Sequence, residues 1–97
     1  MHVSDLKPRR QIDEITVKVL KMVQDKHVKA RFSNKKLWLQ EFRVKDETGE
    51  ASLVLWEEDC GQVIPEDIIK ITNGYCLPDK TGITKLTPGK YGRLEVL

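Results

Sequence analysis

Apolar and polar residues alternate one by one along much of this chain, and that period confines it to β structure. In ITVKVLKMV (15–23), Ile15, Val17 and Val19 fall on one side and Thr16 and Lys18 on the other. A period of two in β-branched residues fits a half-buried strand, whereas a helix repeats its apolar face about every 3.6 residues. The same reading gives a second strand over LWLQEFRVKD (37–46) and a third over EASLVLWEED (50–59). DETG (46–49) is a turn signature that joins them as a hairpin, with Gly49 expected in left-handed backbone. A fourth strand develops within IPEDIIKIT (64–72) and continues into NGYCLPD, past a bulge expected at Asn73-Gly74. ITKLTPGKYGRLEVL (83–97) gives the last strand, interrupted at Pro88-Gly89. VSDLKP (3–8) reads as a capped turn closed by Pro8, and DCGQVI (59–64) has room for one helical turn.

QDKHVKARFSNKK (24–36) is either a long basic loop or a strand extension that frays into one. Five strands, one short helical connector between the third and fourth, and no long amphipathic helix favour a closed Greek-key barrel. The OB-fold is the usual barrel of this size. An SH3-like barrel or a small sandwich satisfies the same pattern. The expectation is an all-β, five-stranded Greek-key OB-fold barrel, with residues 1–97 forming one domain.

No stretch of 18 apolar residues spans a membrane, and MHVSDLKPRR lacks the apolar centre of a secretory signal. Cys60 and Cys76 stand sixteen apart without a CxxC partner, which reads as two thiols in a reducing, intracellular compartment rather than a zinc site. A Gly-rich phosphate loop, HExxH and GxSxG are all missing from the sequence. Glu57, Glu58 and Asp59 are consecutive, so in a strand they splay to opposite faces and do not converge on a substrate. The reading is non-catalytic, with no cofactor, metal or small-molecule substrate. Residues 1–45 carry 12 Lys/Arg against 5 Asp/Glu, and residues 46–97 carry 5 against 10. The net +2 therefore splits into +7 and −5, and the basic half points to a polyanion.

Single-stranded nucleic acid is held by cations for phosphates and flat side chains for bases. Trp56 is the central candidate, because Ala51, Leu53 and Leu55 claim the inward face and leave Trp56 with Ser52 and Val54. Tyr75 follows the Asn-Gly step. Phe32 lies in the basic segment, either as a plug for the barrel mouth or as a stacking platform. Trp38 shares a face with Gln40, Phe42 and Val44, while Leu37 and Leu39 claim the other, so its role stays open, as does that of Tyr91, core or rim. The basic candidates are Arg31 and Lys36, alongside Lys26, Lys29 and Lys35, in the 24–36 segment; Arg43 on the outer face of the second strand; and Lys80 and Lys85 around the last loop.

VSDLKP, ITVKVL, VKDETGEASLVLW, EDCGQVIPEDIIKITNGY and GKYGRLEV, in this order and spacing, resemble the archaeal-type single-stranded-DNA-binding proteins and the OB-folds of replication protein A, over about residues 3–96. The resemblance implies that Trp56 and Tyr75 stack on bases, in replication, repair or recombination. It also implies a further aromatic four residues after Tyr75, where this chain has Asp79 preceded by Pro78. Phe32 or Trp38 would compensate; otherwise affinity would fall below that of the family. Such proteins often carry a tail or further OB domains, and the expectation is that any such part is missing after GRLEVL, either naturally or because a domain was excised. Alternative partners are RNA, which stacking and charge do not separate from DNA, and proteins of a replication or repair complex.

Overall fold

The computed structural model describes residues 1–30, 32–78 and 82–97. Its strands are β1 (Gln11–Lys29), β2 (Lys36–Asp46), β3 (Gly49–Trp56), β4 (Ile68–Cys76), β5 (Lys85–Thr87) and β6 (Arg93–Val96). They form one sheet in the order β1-β2-β3-β5-β4-β6, and a further β1–β4 pairing closes it. β5 and β6 are the two pieces of the fifth barrel strand, divided at Pro88–Gly92 as the sequence suggests. The architecture is the expected five-stranded OB-fold.

β1 closes the barrel because it serves two neighbours. Gln11–Lys18 pairs with β4, and Lys18–Lys29 pairs with β2. Two register shifts, between Val19 and Lys21 and between Met22 and Gln24, each insert one residue. Bulges of this kind bend and twist a strand, which lets one strand turn from one partner to the other. The expected first strand (15–23) is thus only the middle of β1. The segment 24–36 resolves to the extension reading: pairing continues to Lys29↔Lys36, and the Ala30 N–H donates to the Lys35 carbonyl at 2.9 Å, so the strands run on through most of it.

Ile15, Val17, Val19, Phe42, Val44, Ala51, Leu53, Leu55, Ile69, Ile71 and Leu86 form the core, at 2 % exposure or less. Each is the inward residue of its strand, and burying a Val, Ile, Leu or Phe side chain fully is worth about 1.5–3 kcal/mol. Val3, Ile12, Cys60, Val63 and Cys76 complete the cluster. Both cysteines are free and buried.

Three local expectations change. Gly49 does not take left-handed backbone. The Asp46 carboxylate organises the turn instead, accepting from Thr48 N–H at 2.7 Å and Thr48 Oγ1 at 2.6 Å. Asn73 is left-handed (φ 56°), but the register of β4 against β1 runs through it without a bulge. Gly74 is there because a Cβ would lie 2.7 Å from Ile71 Cγ2 and 2.9 Å from the Thr87 carbonyl oxygen. Finally, β3 stops at Trp56, and Glu57–Asp59 is a 3-10 turn. The three acids therefore do not splay along a strand. No helix among the described residues is long and apolar enough to cross a membrane.

Candidate nucleic-acid interface

Residues paired across a sheet share a face, so the registers map the outside of the barrel. Lys26, Leu39 and Trp56 form one row across β1, β2 and β3. Gln24, Glu41 and Val54 form the next, then Arg43, Ser52 and Lys85. Lys85 and Thr87 lie two apart on β5, and the row Gln11–Tyr75–Thr87 carries the face on to β4 and β1. Trp56 and Tyr75 are each 38 % exposed on this continuous surface. Both stand beside β5, which lies between β3 and β4.

The face holds its own counter-charges. Lys85 Nζ is 3.6 Å from Glu41 Oε1, which also accepts from Gln24 Nε2 at 2.8 Å. Arg43 reaches Glu50 at 3.6 Å and Ser52 Oγ at 3.2 Å. Glu41 is buried beneath these contacts. Arg43 and Lys85 thus lie where the alternation puts them, but each is already paired.

Trp38 is inward. It packs on the core cluster, its indole N–H donates to Asp25 at 2.6 Å, and its ring stacks on His27 with centroids 6.0 Å apart. Gln40 donates to Asp25 at 3.3 Å and accepts from Gly61 N–H at 2.8 Å. Glu57 accepts from the Trp38 N–H at 2.8 Å. Trp38 therefore fastens the β1–β2 arm to the turn after β3, and its ring does not lie with Trp56 on the outer face. The two hydrogen bonds from Trp38 and Gln40 hold the Asp25 carboxyl below its ordinary range.

Phe32 is 93 % exposed at the end of the arm, so it does not plug the barrel. Lys36 is exposed near the same end and lies on the same side of β2 as Trp38 and Gln40, away from the Trp56 face. Arg31, Asp79 and Lys80 lie outside the described residues. No group of three or more His, Cys, Asp or Glu among the described residues is arranged to hold a metal.

Two adjoining clefts were not evident in the sequence. One, of about 300 Å³, lies beside Trp56 and is bordered by Glu57–Asp59, Thr87, Gly89 and Lys90. Burial, with Glu58 alongside, raises the Asp59 carboxyl above its ordinary range. The other, of about 760 Å³, opens around Tyr75 and is bordered by Arg9, Tyr91 and Lys90. Tyr91 is 79 % exposed, which settles it as rim rather than core. TPGKYG (87–92), an interrupted strand carrying a cation and an aromatic, was the available signal.

An OB-fold barrel with aromatics on one outer face is the class of protein this geometry defines. No family model matches the chain, and no curated protein matches it in sequence. Its fold is similar to the second OB-fold domain of replication protein A from Methanococcus maripaludis (TM-score 0.78, 20 % identity, all of this chain on 93 % of that one). It is also similar to a replication factor A related protein from Methanobacterium thermoautotrophicum (0.80, 21 %, all of this chain on 89 %). Pot1pC of Schizosaccharomyces pombe, solved bound to single-stranded DNA, shares the fold at 0.64 and 12 % identity, over all of this chain and 85 % of that one.

Proposed function

We propose that this domain binds single-stranded DNA without catalysis and with little sequence preference, inside the cell, in replication, repair or recombination. The observation that carries the reading is the pair Trp56 and Tyr75, half-exposed on one continuous outer face beside β5. A half-exposed indole on a closed barrel has a flat surface to offer a base, and one stacked base contributes about 1–3 kcal/mol. The shared fold with replication protein A domains and with DNA-bound Pot1pC supports the same reading.

Titration with oligo-dT tests it. Binding is expected at low salt, with quenching of tryptophan emission, and Trp56→Ala should lose about 1–3 kcal/mol of affinity while its urea midpoint stays near wild type. A folded protein that does not bind at low salt would refute the proposal. A Trp56→Ala protein that unfolds would put the indole in the core. Matched RNA oligomers in the same titration separate the two nucleic acids. A second reading, a protein-interaction OB domain, draws on the acids at 57–59 beside Trp56 and on the paired state of Arg43 and Lys85. It predicts negligible affinity for either nucleic acid.

A further inference from the structure

The larger cleft carries the outer face on past Tyr75 to residues that the sequence did not single out as a site, and three of its features point the same way. The first is aromatic. Tyr75 stands in the row Gln11–Tyr75–Thr87, and Tyr91 projects from the loop that divides the fifth barrel strand. The second is charge. Among the described residues, neither Arg9 nor Lys90 has a carboxylate within salt-bridge distance, whereas Arg43 and Lys85 do. Lys90 Nζ lies 5.6 Å from the Tyr91 ring centroid, so cation and ring are presented together.

The third feature is a fixed frame. Arg9 (φ 67°), Asn73 (φ 56°) and Gly89 (φ 67°) all take left-handed backbone, and all border this one cleft. Such backbone costs energy in a residue with a side chain, and it collects at ligand clamps. Local bonds hold it. Arg9 N–H donates to the Cys76 carbonyl at 2.8 Å, and Cys76 N–H to that of Arg10 at 2.9 Å. Asn73 Nδ2 donates to the Tyr91 carbonyl at 3.3 Å, and Gly89 N–H to Thr87 Oγ1 at 3.3 Å. At Gly92 a Cβ would sit 1.9 Å from the Pro88 carbonyl oxygen, so a side chain there would open the loop.

Thr87, Gly89 and Lys90 border both clefts, which makes the two surfaces one track. The acids at 57–59 repel phosphate at the Trp56 end, while Lys90, between the clefts, and Arg9, at the far one, attract it. From this we infer that the Tyr75–Tyr91 cleft is a second nucleotide site: a single strand leaving Trp56 crosses Thr87, stacks a base on Tyr91, and sets its phosphates against Lys90 and Arg9. The inference rests on the proposed single-strand function and names the path of the strand and its phosphate contacts.

The test is fluorescence anisotropy with labelled oligo-dT of roughly 12 nucleotides, within the 4–16 that one OB-fold covers. Tyr91→Ala should weaken binding about 5- to 150-fold, the effect of one stacked base. Tyr91→Phe should bind as wild type does. The double variant Arg9→Gln/Lys90→Gln should flatten the slope of log K against log salt by about 1.4, the contribution of two phosphates on a single strand. All these side chains are exposed, so urea midpoints should match wild type. Wild-type affinity in Tyr91→Ala, an equal loss in Tyr91→Phe, or an unchanged slope in the double variant overturns the cleft. In each of those cases Trp56-dependent binding leaves the wider function standing. A wild-type domain that binds no oligomer overturns both.

Discussion

Glu41 sets the charge of the face on which Trp56 lies. Its carboxylate is buried at the centre of β2, one row from Leu39 and Trp56, and it holds Lys85 at 3.6 Å. A phosphate that approached Lys85 would compete with it. Glu41→Gln keeps the shape and can still meet Gln24, but releases Lys85. Oligo-dT binding should tighten by roughly 1 kcal/mol, the scale of two unit charges about 4 Å apart in water. Unchanged affinity in that titration would mean that phosphates stay away from Lys85. Alternation was enough to put Trp56, Arg43 and Lys85 on the outer face, because it depends only on each residue's own strand. Which carboxylate neutralises which cation depends on register between strands distant in sequence. Glu41 and Lys85 are 44 positions apart, and nothing local links them. Trp38 was ambiguous for the same reason, since its partners Asp25 and Glu57 come from other segments.

The β2–β3 hairpin shows how an element acquires a stability that its turn alone does not explain. Asp46 closes the turn through Thr48 and also accepts the Val3 N–H at 2.8 Å, which fastens the N-terminal 3-10 turn (Val3–Asp5) beneath the barrel. Burial alone would raise this carboxyl; the bonds from the Thr48 hydroxyl and the Val3 and Thr48 amides outweigh it and bring it down to about 2. A carboxyl lowered on folding stabilises the protein in its ionised form. That contribution is complete above the unfolded value near 4 and disappears as pH falls through about 2. Asp46→Asn should therefore be less stable than wild type at pH 7, with the gap between their urea midpoints closing from pH 4 to pH 2. A gap that stays constant with pH would rule out the ionised carboxylate as its source. The hairpin itself was legible, since DETG falls between two alternating runs. The extent of β1 was not: two inserted residues break its period, and the apolar Met22 and Val23 beyond the first of them are 44 % and 47 % exposed.

For the molecule as a whole, the charge split between the two halves of the chain does not become a split between two faces. A Greek-key barrel interleaves its strands, and β1 lies against β4 from the acidic half as well as against β2. Lys18 meets Glu66 at 3.1 Å and Arg43 meets Glu50 at 3.6 Å, each pair setting a cation of the basic half against an acid of the acidic half. The +7 and −5 of the sequence thus partly cancel across the sheet, and the polyanion signal read from the halves overstates the field of the fold. Most of these groups are exposed, and exposed pairs of this kind contribute little to stability. Stability comes from the closed apolar core, which salt does not screen. Ligand binding, in contrast, releases counterions from the strand it neutralises. Raising salt from about 50 to about 300 mM, which shortens the screening length well below 10 Å, should leave the urea midpoint nearly fixed while oligo-dT affinity falls steadily. Parallel movement of the two quantities would mean that the cross-half pairs hold the barrel together, and that salt weakens binding by loosening the fold that presents Trp56 and Tyr75.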